Sequence, residues 1–309
     1  MAREWLGSHH RAATVNPAYQ HALRVEPSAF CRGCHAPEAD PSRATPQALR
    51  DLGVGCVTCH VPAEGVVLAA GTKTATESDG DTTSAHVIER SAAFASSGAC
   101  AGCHEFRFDS PGSDDDGHMM QTTLREHARG PRSGTPCADC HMPPAPHRGT
   151  HRSHAFAEVR DPAFLRAHLD VSVERIDPTT LRFTLRQTAP AHAFPTGDLF
   201  RRLEIGGALD ETTGRRLARR TRHLARHFVL DPRRRGRVLD RDDRVFEEPR
   251  SVDLVFDDPL KPTGPLKLSW WVTYQRVATV GEGRDPEKAK VESAVVLHTG
   301  HLAWDAPFQ

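Results

Sequence analysis

Eight cysteines in this chain of 309 residues fall into four copies of one pentapeptide. The copies are Cys31-Arg-Gly-Cys34-His35, Cys56-Val-Thr-Cys59-His60, Cys100-Ala-Gly-Cys103-His104 and Cys137-Ala-Asp-Cys140-His141. No cysteine is left over. Two thiols three residues apart with a histidine directly after the second can add to the two vinyl groups of a haem, while the histidine binds the iron. Four haem c groups are therefore expected. Their attachment residues are Cys31, Cys34, Cys56, Cys59, Cys100, Cys103, Cys137 and Cys140, and their proximal ligands His35, His60, His104 and His141.

Two other chemistries use the same residue types. Paired C-x-x-C units can bind zinc tetrahedrally, but that chemistry does not ask for a histidine directly after the second cysteine, which stands here in all four copies. A disulfide framework would account for an even cysteine count and leave the four histidines unexplained. An absorption spectrum separates the three.

The elements that must position these motifs lie in a first half broken by proline and glycine. It reads as short helices and loops, with little structure of its own until porphyrin faces supply core. Only 38% of residues are hydrophobic and 6% aromatic, which is lean for this length. Residues 71–84 and 109–117 read as solvated loops. The acidic run Asp114-Asp115-Asp116-Gly117 invites a calcium reading, but it lacks the ligand spacing and closing glutamate of an EF-hand.

The pattern changes near residue 165. Leu169, Val171 and Val173 alternate with polar residues, as do Leu181, Phe183 and Leu185, then Leu266 to Tyr274, then Val291 to Leu297. Turn signals separate the runs, which predicts an antiparallel sandwich. The expected fold class is thus a mainly α or irregular multihaem domain over 1–163, followed by an all-β, Ig-like domain over 164–309. The formal net charge is zero. Residues 1–165 carry 15 basic against 19 acidic residues and the remainder 25 against 21. There is no domain-wide basic excess to suggest a nucleic acid. The arginine-rich stretch 215–237 reads as a solvated strand pair and turn, or as a docking site for propionates or an acidic partner.

No stretch is apolar for long enough to span a bilayer as a helix. The first residues show no export leader, although haem c attachment calls for a periplasmic or extracellular location. The expectation is a trimmed leader or a start codon placed too late.

Trp5-Leu-Gly-Ser8-His9-His10-Arg-Ala12 resembles the W-x-x-S-x-H-x-A opening of the multihaem cytochromes related to cytochrome c554. Met120-Gln121-Thr-Thr-Leu-Arg-Glu126, Cys140-His141-Met142-Pro143 and His151-Arg-Ser-His154-Ala-Phe156 resemble that group too. The likeness covers roughly residues 1–160 and extends more distantly to the pentahaem nitrite reductases. It implies that His10 and His154 are distal ligands and that His86 occupies a place where a distal histidine often falls. His9 competes with His10, and His147 and His151 compete with His154. The fourth distal ligand is open between His127, where the group often carries Trp, and His192. The latter sits in an H-x-F-P-T-G element like one that opens the β-domain of some multihaem cytochromes, and its plain reading is a stapling turn. His118, Met119 and Met120 are weaker donors.

With more than four donors for four irons, bis-His ligation and low potentials are expected, since methionine ligation raises the potential. The leading function is electron transfer between redox partner proteins, without enzymatic activity. One alternative is a reductase of a small nitrogen compound at one open haem. It is disfavoured by only two tyrosines, no fifth haem motif and no C-x-x-C-K variant. Another is a homo-oligomer or filament in which subunits share histidines.

Overall fold

The computed structural model describes residues 1–61, 66–71, 88–108, 116–145, 151–156, 161–231, 236–256, 265–278 and 288–304. In chain order its elements are α1 (Ala2–Leu6), α2 (Pro17–Val25), α3 (Ala29–His35), α4 (Gln47–Leu52), α5 (Cys56–His60), β1 (Val67–Ala70), β2 (Ile88–Ser91), α6 (Gly98–His104), β3 (Glu105–Arg107), a 3-10 turn (Asp116–His118), β4 (Met119–Thr122), α7 (Thr123–Arg129), α8 (Cys137–His141), α9 (Pro162–Ala167), β5 (Leu169–Arg175), β6 (Thr180–Gln187), β7 (Arg201–Glu211), β8 (Arg216–Asp231), β9 (Gly236–Asp242), β10 (Arg250–Val255), β11 (Leu266–Val277) and β12 (Val291–Trp304). They divide into two compact units. The first is Met1–Asp109 with Ser133–Glu158; the second is Ser110–Arg132 with Val159–Gln309.

The first unit carries all four C-x-x-C-H motifs. Its described helices run five to nine residues, because a proline, a glycine or the end of a motif stops each one. It also contains strand: β1 pairs in parallel with β2, Val67 opposite Ile88. The expectation of a mainly α multihaem domain is therefore corrected. Helix makes up 25% of the described residues and strand 40%. Helices of one or two turns contribute few residues, whereas β8 and β12 run to 16 and 14.

The second unit fits the all-β expectation. β5, β6 and β10 form one antiparallel sheet in the order β10-β6-β5; β12-β11-β7-β8-β9 form another. Alternation puts Leu181, Phe183 and Leu185 of β6 on one face, and all three are fully buried. They share one apolar cluster with Leu203, Ile205 and Leu209 of β7, Leu254 of β10, Leu268 and Val272 of β11 and Trp304 of β12. Period-two burial from both sheets into one cluster is what a sandwich requires. β8 and β9 take up most of the described part of the arginine-rich stretch, of which residues 232–235 lie outside the described residues. Arg215, Arg216 and Arg219 pair with Glu211, Asp210 and Glu204, which favours the solvated-strand reading over a docking site.

The second unit also takes up residues 116–132 as a strap. Glu126 of α7 is buried and accepts from Arg244 at 2.7 Å, the Thr122 hydroxyl at 2.6 Å, the Thr196 hydroxyl at 2.8 Å and the Ala193 N–H at 3.2 Å. Arg244 also binds Asp242 and the Pro195 carbonyl. Arg226 donates to the carbonyls of Met119 and Met120. Every oxygen of Glu126 is thus occupied, as a buried carboxylate requires.

Candidate functional site

The four motifs adopt one local geometry. Each ends a short helix: Cys31–His35 closes α3, Cys100–His104 closes α6, and Cys56–His60 and Cys137–His141 make up α5 and α8. On a helix, residues i, i+3 and i+4 share a face. Both thiols and the imidazole of each motif therefore project from the same side. In all four, the N–H following the histidine donates to the carbonyl of the residue after the first cysteine, as Ala36 does to Arg32 and Met142 to Ala138. That bond closes the last turn and stops the helix there.

None of the eight cysteines forms a disulfide, so the disulfide framework is not realised. The thiols gather across motifs instead. The Cys34 thiol hydrogen-bonds to Cys103, which raises the pKa of Cys34 and lowers that of Cys103 to about 7. Cys100 is likewise raised by its bond with Cys137. Among the described residues, the group that could close on one metal ion contains no cysteine; it is Glu4, His151 and His154. The zinc alternative accordingly finds no Cys/His cluster there.

The proximal histidines are oriented by backbone. His35 Nδ1 lies 2.9 Å from the Ala13 carbonyl oxygen and His60 Nδ1 2.8 Å from that of Leu68. A carbonyl can only accept, so each Nδ1 carries the proton and Nε2 keeps its lone pair. Glu38 fixes the helix under the second motif, accepting from the Thr58 N–H at 3.2 Å and its hydroxyl at 2.9 Å.

Two of the histidines expected on the opposite faces stand against motif histidines. The His10 ring centroid is 6.2 Å from that of His104, with planes at 85°. His154 is 6.0 Å from His60, with planes at 27°. Two imidazoles on opposite sides of one metal are separated by two metal–nitrogen bonds of about 2.0 Å plus the ring radius at each end, roughly 6 Å in all. Both distances match. His10 Nδ1 is buried and has no hydrogen-bond partner, an orphaned nitrogen that a metal would satisfy. Burial, then the neighbouring His104 and His9, lower the pKa of His10 to about 4. His154 is lowered as well, chiefly by burial. Both are neutral at physiological pH, as a ligand must be. His154 Nδ1 donates to the Arg152 carbonyl at 2.8 Å, leaving Nε2 available.

His127, His192 and His118 belong to the second unit, and the four motifs to the first. His127 is buried and donates through Nδ1 to the Ala191 carbonyl at 3.1 Å; His192 Nδ1 lies 3.2 Å from the Ala193 carbonyl. Met119 is buried in β4. His86, His147, Asp114 and Asp115 lie outside the described residues.

Several supporting residues were not among the ligand candidates read from the sequence. Glu4 accepts from the His154 N–H at 3.1 Å and from His151 Nε2 at 2.9 Å. Its pKa falls to about 2, first through the His154 N–H and then through His151. Phe156 packs 4.2 Å from His10 and 6.3 Å from His154 and adopts a φ of 55°, which is costly for a bulky residue. Gly53, at φ 63°, lies against the backbone of His10 and Arg11. A positive φ could have been guessed for a glycine; its neighbour could not.

No family model and no curated protein matches the chain. Among solved structures, a penta-heme cytochrome c552 from Thermochromatium tepidum superposes with a TM-score of 0.68, over 98% of this chain and 95% of that one, at 19% identity. This chain has the fold of that cytochrome. The likeness reaches the fold and leaves the count of four and the c554 resemblance to the sequence. A Bacteroides uniformis beta-glucuronidase 2 aligns over 46% of this chain at 11% identity, with a TM-score of 0.17, too low to carry an argument. No described helix is long and apolar enough to cross a membrane.

Proposed function

We propose that this chain is an electron-transfer cytochrome carrying four covalent haem c groups on Cys31–His35, Cys56–His60, Cys100–His104 and Cys137–His141. The observation that carries the reading is the pair of imidazole–imidazole separations, 6.2 Å for His10–His104 and 6.0 Å for His60–His154. Together with four one-sided Cys/Cys/His faces, this donor set fits a haem better than any other group of its size. When bound, the haem supplies an iron that alternates between ferric and ferrous states.

The polypeptide does the rest. Thiols at i and i+3 fix the group to a helix face, and the histidine at i+4 binds from that face. Ala13 and Leu68 hold the imidazoles of His35 and His60 in one tautomer and one orientation. Burial keeps His10 and His154 neutral. We assign His10 opposite His104 and His154 opposite His60. At those two haems opposed imidazoles would leave no open coordination position, which supports a carrier of electrons over a reductase. Attachment chemistry of this kind places it outside the cytoplasm, in the periplasm or beyond, with other redox proteins as partners.

The haem content and axial ligands are tested together. A pyridine haemochrome assay should return four haems per chain. Electron paramagnetic resonance of the oxidised protein should show one highly axial low-spin signal from the near-perpendicular His10–His104 pair and a rhombic one from the near-parallel His60–His154 pair. His10→Ala should remove the first and His154→Ala the second. A protein without haem, or variants that leave both signals in place, would sink the assignment.

A further inference from the structure

Tyr19 is the buried residue of α2. Its place is set by the helix start: Asn16 caps α2, its Oδ1 accepting from Ala18 N–H at 2.9 Å and Tyr19 N–H at 3.3 Å, with Pro17 in the first turn. Asn at the cap and Pro just after it fix a helix register firmly. The Tyr19 ring consequently lies flat on the His35 imidazole, with centroids 4.0 Å apart and planes at 9°. This is too close, and too parallel, for a residue across a metal from His35; it is face-to-face packing on the ligand itself. The same segment holds His35 at other points. Ala13 accepts its Nδ1–H at 2.9 Å, the Thr14 hydroxyl donates to its carbonyl at 2.5 Å, and Gln20 donates to the Thr14 carbonyl at 2.6 Å.

Tyr19 is 5% exposed, yet its hydroxyl has no hydrogen-bond partner. A buried hydroxyl left unpaired costs about 1–3 kcal/mol, and tyrosine in a core normally finds a partner. The hydroxyl is a hydrogen-bond donor close to the first motif, lacking an acceptor from the polypeptide.

We propose that Tyr19 is a positioning residue of the first motif: its ring fixes the plane of His35, and its hydroxyl donates a hydrogen bond to the haem carried by Cys31 and Cys34. This rests on the haem reading above. A haem offers two kinds of acceptor, the carboxylate oxygens of its propionates and the sulfurs of its thioethers. Donation to either draws electron density away and favours the reduced state.

The test compares Tyr19→Phe and Tyr19→Leu with the parent, each as the haem-loaded full chain. The pyridine haemochrome count comes first: an unloaded parent would fail the haem reading, whereas loaded variants isolate this proposal. In a redox titration, Tyr19→Phe should weaken electron affinity at one haem by roughly three- to tenfold, about 30–59 mV for one electron, and leave the other three unmoved. Tyr19→Leu should in addition change the paramagnetic resonance g-values of that haem, since the His35 plane loses its backing. Resonance Raman names the acceptor through a shifted propionate bending band or a shifted carbon–sulfur band. Four unchanged potentials in Tyr19→Phe, with an unfolding midpoint equal to or above the parent's, would show a hydroxyl merely buried and overturn the proposal.

Discussion

Gly53→Ala should loosen His10 by way of its backbone. Gly53 sits at φ 63° and ψ −126°, a region that only glycine enters freely and that costs other residues about 1–3 kcal/mol. A Cβ built there would lie 2.5 Å from the carbonyl oxygens of both His10 and Arg11. Those are backbone atoms and cannot swing aside as a side chain would. The Val54 N–H donates to the His10 carbonyl at 2.9 Å, and the Trp5 indole to the Val54 carbonyl at 2.9 Å. Separating the two segments forfeits the first of these bonds and strains the second, at about 1 kcal/mol for a hydrogen bond. A local destabilisation of roughly 2–4 kcal/mol follows. At 1.4 kcal/mol per factor of ten, the population with His10 displaced rises roughly a hundredfold. On the proposed ligation, carbon monoxide would bind the reduced haem of the third motif only when His10 had left, so its binding rate to that haem should rise by about that factor. His10→Ala should open the same haem outright. Gly134→Ala is the control, since its Cβ meets nothing within 4 Å. Amide exchange over residues 8–14 should quicken in Gly53→Ala whether or not haem is present. Carbon monoxide kinetics and exchange indistinguishable from the parent would refute the reasoning.

Three further outcomes are expected. Glu4→Ala removes the acceptor of the His154 N–H and His151 Nε2, so the rhombic paramagnetic resonance signal assigned to His60–His154 should broaden or give way to a high-spin one while the axial signal persists. Arg244→Met leaves Glu126 buried and uncompensated, at about 3–5 kcal/mol for breaking a buried pair; at about 2–4 °C per kcal/mol for a unit of this size, calorimetry should show the β-unit melting roughly 10 °C lower. Glu204 is held down from its ordinary 4.5 to about 2 by hydrogen bonds led by His223, then Trp271 and Gln275. A lowered carboxylate stabilises the fold above its unfolded pKa and loses that contribution as pH falls through the folded one. Stability of the β-unit should therefore decline between pH 4.5 and 2, and Glu204→Gln should flatten that decline in a denaturant series run across the window.

How far the sequence could be read differs between the two units. In the β-unit, period-two alternation in β5, β6, β11 and β12 is a local signal, and it located those strands. The strap over residues 116–132 carried no local sign of its attachment, which depends on Glu126 meeting Arg244, 118 positions away. In the first unit, proline and glycine correctly implied short helices. The parallel β1–β2 pair escaped because each strand is four residues long, too short for a period to register.

The sequence by itself determined where covalent attachment can occur, because C-x-x-C-H places its thiols and imidazole on one face through nothing more than helical geometry. It also narrowed the opposing ligands to a few histidines. Only the tertiary structure set His10 against His104 and His154 against His60. His10 and His104 are 94 positions apart and so are His60 and His154, and no short-range rule couples residues at that separation. The pairing is made by contacts local in space and distant in sequence: Gly53 against the His10 backbone, Glu4 under the His154 N–H, Phe156 beside both the His10 and His154 rings.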